Sequence, residues 1–194
     1  MGAAREGGVV MCRPSRRVVA RTFLWLGLGS LYALPFLTVQ GAFDAFIKID
    51  GVPGESSDAQ HKEWIEIESF HHGVSQPSAG GLGSAAEGAP LIVAKTVDKA
   101  SPILMLHCCN GKHIPKVELE LVKQEVERPV FYKITLVDVI VSSVRPGGST
   151  LTDVLPLEEV SFNYGQVQWD YTYVDPTAGP TTITTSWDFS SADK

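Results

Sequence analysis

The stretch Lys95–Leu121, KTVDKASPILMLHCCNGKHIPKVELEL, spells out one short helix and one strand with the punctuation of both in place. Asp98 or Ser101 is positioned to cap the helix, and Pro102 suits its first turn, where a missing N–H costs little. Ile103, Leu104, Met105 and Leu106 supply apolar mass, and Gly111 is expected to close the C-terminus in the left-handed conformation. Val117, Leu119 and Leu121 then alternate with Lys116, Glu118 and Glu120, the period of a half-buried strand.

The rest of the body reads as strands. Phe43–Ile49 places Phe43, Ala45, Ile47 and Ile49 on one face, and Asp50–Gly54 is a turn. Trp64–Phe70 is a second alternating strand, Leu91–Val97 a third leading into the helix, and Phe131–Val144 a long apolar one that Arg145–Ser149 breaks. Leu157–Tyr164 and Gln166–Val174 read as a hairpin around Gly165, and Ile183–Phe189 as a strand closing the sheet. Ser75–Pro90, rich in Gly, Ala and Ser, reads as a long flexible loop. Many short strands and one helix predict a mainly β barrel or sandwich with the helix packed on it.

At 194 residues and 44% hydrophobic content, the chain accommodates one domain plus an appendage. Residues 1–42 carry a net charge of +4, whereas 43–194 holds 11 basic and 21 acidic residues. The acidic body argues against general nucleic-acid binding, which needs cations to displace counterions. Thr22–Val39 is uncharged and mostly apolar behind an Arg-rich lead, with small residues near Gly41-Ala42. Three readings of 1–42 stay open: a secretory signal, a marginal membrane anchor, and an extension from a start codon set too far upstream. The division expected is therefore 1–42 as an N-terminal extension and 43–194 as the folded domain. Of the cysteines, Cys12 lies in the extension and Cys108-Cys109 are adjacent, so no disulfide framework is visible.

Candidate chemistry is sparse. His107, Cys108, Cys109 and His113 invite a zinc reading, but their spacing matches no usual finger, and adjacent cysteines cannot both turn into one tetrahedral site without distortion. His71 and His72 follow a strand and face opposite sides; His61, in a polar stretch, reads as surface. Asn110-Gly111-Lys112 is a helix end rather than a phosphate loop, Ser84 belongs to no nucleophile elbow, and Glu158 and Glu159 read as rim or solvent charges. Trp64, Trp169, Tyr171, Tyr173 and Trp187 read as core or subunit contacts. No catalytic, cofactor-binding or metal-binding residue is assigned. Unpaired strand edges and an exposed loop suit self-assembly, because a neighbour can complete them.

Several of these segments, taken in order, resemble one family. Lys95–Leu121 is similar, almost residue for residue, to the signature of the Hcp proteins, which form the tube of type VI secretion systems. Phe43–Gly51, Gly54-Glu55-Ser56, His61, Ile65–Ser69, Gly73–Gln76, Phe131–Ile134, Leu157–Phe162 and Ile183–Trp187 agree as well. The resemblance implies a compact β-barrel of two packed antiparallel sheets with one short helix. Six copies would form a ring, and rings would stack into a tube inside a contractile sheath behind a spike protein, with effector cargo in the lumen. It implies no catalysis and no cofactor. It also implies assembly in the cytoplasm followed by secretion, with a periplasmic location if residues 1–42 are a working signal and membrane contact if they are an anchor. The Ser75–Pro90 loop would reach the adjacent ring. Phe70–Ser75 would lie near the lumen, where His71 and His72 replace the family's small or aromatic residues. Residues 1–42 depart from the family and motivate the alternative, an exported non-catalytic β-barrel binding protein of the cell envelope.

Overall fold

A computed structural model describes residues 43–77, 86–151 and 155–190. The segment 1–42, with its apolar run Thr22–Val39, lies outside the described residues. Within them, no helix is long and apolar enough to cross a membrane.

Ten strands and one helix follow in order: β1 Phe43–Ile49, β2 Ile65–Glu66, β3 Ser69–His71, β4 Val74–Ser75, β5 Glu87–Gly88, β6 Leu91–Thr96, α1 Ser101–Asn110, β7 His113–Lys123, β8 Val130–Gly147, β9 Leu157–Asp175 and β10 Gly179–Asp188. Eight strands form one antiparallel sheet in the order β2-β1-β7-β8-β9-β6-β3, with β10 also on β9; β4 and β5 form a separate pair.

Two long strands give the body its layers. One edge of β9 pairs with β8 from Leu157 to Tyr171; the other pairs with β6 as far as Phe162 and with β10 from Gln166 onward. The inward residues change parity at that point, from Val160 and Phe162 to Val167 on β9, and from Ile134 and Leu136 to Val139 and Val141 on β8. Asp138 sits at the corner with φ 55°, in the left-handed region that Asp tolerates better than most residues. Gly165 lies against it; a Cβ there would come 3.5 Å from Asp138 Cβ. Bent strands shared between layers let one sheet pack on itself.

The core lies between the layers. Ile47, Leu91, Val117, Leu119, Leu136 and Phe162 are almost fully buried, and Leu104 of α1 joins them. The barrel wall is not closed by a continuous ladder. Residues 65–71 join its two ends, with Ile67 N–H donating to Ala45 O on β1 (3.1 Å) and Glu68 N–H to Ala94 O on β6 (2.8 Å).

Several local expectations change. Trp64–Phe70 is two short strands, because its first part pairs with β1 and its last with β6. There is no hairpin at Gly165; β9 runs through it, and the turn comes at 176–178 before Gly179, whose φ is +79°. Arg145, Pro146 and Gly147 do not break β8, since they pair with Glu159, Glu158 and Leu157. Strand β10 extends β9 rather than closing the sheet. The Ser75–Pro90 segment is paired at its feet, Val74 opposite Gly88 and Ser75 opposite Glu87; residues 78–85 lie outside the described residues.

Candidate functional site

The helix that opens the sequence argument is anchored by a buried charge cluster. Lys95 is 1% exposed, and its Nζ lies 2.7 Å from Glu158 Oε1, 2.8 Å from Asp98 Oδ1 and 2.8 Å from Thr96 O. Ser101 Oγ donates to Glu158 Oε1 at 2.8 Å. Glu158 is therefore buried rather than a rim charge, while Glu159 is exposed. A buried ammonium survives only with partners of this kind. Neither Asp98 nor Ser101 is the N-cap: Ala100 occupies that position with no side-chain cap bond, while Asp98 Oδ1 accepts the Ala100 N–H at 2.8 Å and Ser101 Oγ the Asp98 N–H at 3.0 Å. Pro102 does sit in the first turn, and Gly111 closes the helix at φ 63°, ψ 32°.

The residues of the zinc reading do not converge. His107 is buried, with Nδ1 lacking a hydrogen-bond partner; burial, and then the charge of Lys112, holds its imidazole below the ordinary histidine value. Cys108 is half-buried and Cys109 exposed, both as free thiols. His113 is exposed and meets Asp138 at 2.6 Å. Among the described residues, no three His, Cys, Asp or Glu side chains gather as metal ligands would.

His61 overturns its surface reading. Gly54–Ser56 runs against Glu63-Trp64 through Gly54 N–H to Glu63 O (2.7 Å) and Ser56 N–H to Trp64 O (2.9 Å). This folds Asp58–His61 over the outer face of β1 and β7. His61 is 2% exposed, stacks on Phe46 at 4.3 Å, and meets Asp58 Oδ1 at 3.0 Å and Glu120 Oε2 at 2.9 Å. The polar line continues from Glu120 to Lys133 (2.9 Å) and on to Glu118 (2.8 Å), while Arg128 bridges Asp58 and Asp44. Burial pushes the Asp58 carboxyl up, but hydrogen bonds from His61, Gln60 and the charge of Arg128 outweigh it and hold the group below its usual range. The available sequence signal was Phe46, a large apolar residue on the outward face of β1 that needed a cover.

His72 and Tyr164 form the other histidine contact. Tyr164 Oη donates to Ala89 O (3.0 Å) and lies 3.0 Å from His72 Nε2. Burial pushes the Tyr164 hydroxyl up to about 12 and the His72 imidazole down. His71 is exposed on β3, opposite Ile92. Of the aromatics, Trp169 packs on the core, whereas Tyr171 and Trp187 are about half exposed. Ser84 lies outside the described residues.

Among the described residues the geometry offers an exposed β10, a paired arm at β4–β5, and an open groove of about 770 Å³ between Phe43–Phe46 and Glu66–Phe70. The family model for the type VI secretion system effector Hcp matches residues 46–171. The chain belongs to the Hcp family. It is 43% identical over 136 residues to Protein hcp1 of Pseudomonas aeruginosa, covering 67% of this chain and 83% of that protein. The crystal structure of Hcp1 from Salmonella typhimurium superposes with a TM-score of 0.67 at 36% identity, covering 77% of this chain and 97% of that one. A type VI secretion system effector from Yersinia pestis does so with a TM-score of 0.63 at 34% identity, covering 75% and 99%.

Proposed function

We propose that this Hcp protein is a structural subunit of the type VI secretion tube. Six copies close a ring, rings stack, and the tube is driven out by sheath contraction with effectors in its lumen. The observation that carries this reading is that the β body, from β1 to β10, corresponds to nearly the whole length of solved Hcp chains. The subunit works by packing and by presenting surfaces, without catalysis. Exposed His71 on β3 is then the side chain offered to cargo, in place of the family's small or aromatic residues.

Electron microscopy and light scattering on the full-length protein test the proposal. Rings or short tubes with a hexamer mass are expected; a strict monomer at high concentration, with no rings, rejects it. The apolar run Thr22–Val39 supports a second reading, an exported envelope binding protein. N-terminal sequencing from the native host separates the two, since a mature periplasmic protein starting near Ala42 favours the second.

A further inference from the structure

The two feet of the β4–β5 arm meet in one joint. Ala89 N–H donates to Gly73 O at 2.9 Å, which ties the feet to each other. Tyr164 of β9 fastens them to the body, since its Oη donates to Ala89 O at 3.0 Å. A phenol has one proton to give. With that proton on Ala89 O, the 3.0 Å contact between Tyr164 Oη and His72 Nε2 is a hydrogen bond only if Nε2 carries its own proton. The order of donors is therefore His72 to Tyr164 to Ala89. It links the residue after β3, the residue after β5 and the middle of β9.

Rings fill the joint around this line. His72 lies 5.7 Å from the Tyr164 ring and 6.0 Å from that of Trp169, and Phe189 packs on Tyr164 at 5.7 Å. Phe189 is itself held by its N–H to Gly165 O at 2.9 Å. Gly88 shows how little room is left, because a Cβ there would stand 2.9 Å from both Phe189 Cζ and Tyr164 Oη. Just beyond this fitted joint, Val74, Ser75 and Glu87 are exposed.

The joint holds a titratable ring with no anion to balance its charge. Among the described residues, the histidines in ion pairs are His61 and His113, and His72 is in none. The groups set against its ring are the Tyr164 phenol and the Trp169 indole of β9. The phenol stays neutral, pushed up to about 12 by burial. On the adjoining strands, Glu87 of β5 is exposed opposite Ser75, and His71 of β3 is exposed opposite Ile92. Burial holds the His72 imidazole below its ordinary value of 6.5. The seated ring is thus the neutral one, and the imidazolium is better solvated outside the joint.

We propose that His72 is an acid-sensitive latch: protonation unseats its ring from Tyr164 and frees the feet of the β4–β5 arm while the body stays folded. The inference goes beyond the tube reading and does not rest on it, because every group in the joint belongs to one subunit. The latch is closed above pH 6.5 and opens as the pH falls through the lower value that the joint imposes.

Hydrogen exchange read by mass spectrometry on the full-length protein tests the latch at pH 7 and pH 5, after correction for the intrinsic pH dependence of exchange. Protection in peptides spanning 72–76 and 87–89 is expected to fall roughly tenfold at pH 5. His72→Phe keeps a ring in the joint but cannot titrate, and should show equal protection at both pH values. Tyr164→Phe removes the hydroxyl and should lower protection at pH 7 to about the parental level at pH 5. His107→Gln removes the other histidine held low and should leave the fall in place. Equal parental protection at the two pH values, a fall that persists in His72→Phe, full protection in Tyr164→Phe, or a fall abolished by His107→Gln overturns the latch.

Discussion

His61 shows how much one side chain holds. It joins the Gly54–Trp64 segment to β1 and β7 through two carboxylates and a stacked ring. Replacing it with alanine removes two charge-assisted hydrogen bonds and uncovers Phe46. His61→Ala should lower stability by about 3 kcal/mol, read as a drop in the urea midpoint; an unchanged midpoint would show that the contacts carry no net stability. His107 and His72 give the molecule a pH dependence. Both are held below their ordinary value of 6.5 by burial, so the unfolded chain binds protons more readily than the folded one. Stability is full above that value and falls as pH drops below it. Asp58 and Glu118, also held low, add a further loss in the carboxylate range as acidification continues. Urea titrations at pH 7 and pH 5 should show the first loss, and His107→Gln should reduce it.

At the scale of elements, α1 is fixed at one end by charge and at the other by backbone geometry. Lys95 ties it to β6 and β9 through Glu158, Asp98 and Ser101. Lys95→Met leaves Glu158 buried without its cation and should cost about 3–5 kcal/mol. Pairing it with Glu158→Leu removes the buried carboxylate and should recover part of that, Asp98 alone being left without its cation; calorimetric melts of both variants decide it. At the other end, Gly111 is left-handed with open space around it. Gly111→Val therefore meets no steric overlap with other residues, only backbone strain, and should lose about 1–2 kcal/mol. Thermal melts that match the parent would mean that the cap is dispensable.

At the scale of the whole molecule, the surfaces left open matter more than any pocket. The β4–β5 pair, Val74 opposite Gly88 and Ser75 opposite Glu87, brackets residues 78–85 in the chain. Replacing 78–85 with a shorter Gly-Ser link should leave the subunit folded and its rings intact but shorten the tubes seen by electron microscopy. Tubes of parental length would show that this segment plays no part in stacking. Among the described residues, Ile183 and Trp187 on β10 and Met105 and Leu106 on α1 are large apolar side chains left exposed.

The sequence by itself determined what depends on neighbours in the chain. Val117, Leu119 and Leu121 alternate because a strand alternates, and all three are buried. Gly111 ends the helix because only glycine adopts φ 63° without strain. The ordered motifs from Phe43 to Trp187 identify the family. Tertiary structure alone decided what depends on distant partners. His61 finds Glu120 59 residues away, and Lys95 finds Glu158 63 residues away. Nothing local marks either polar side chain as buried, because the partner that makes burial tolerable arrives only when β1, β6, β7 and β9 assemble. Gly165 looked like a turn for the same reason. Its strand continues through the corner because β8 pairs with it on both sides, Val139 with Tyr164 and Val137 with Gln166. The opening stretch Lys95–Leu121 thus named its own helix and strand, while the fold decided that its lysine belongs in the core and its outer apolar stripe faces solvent.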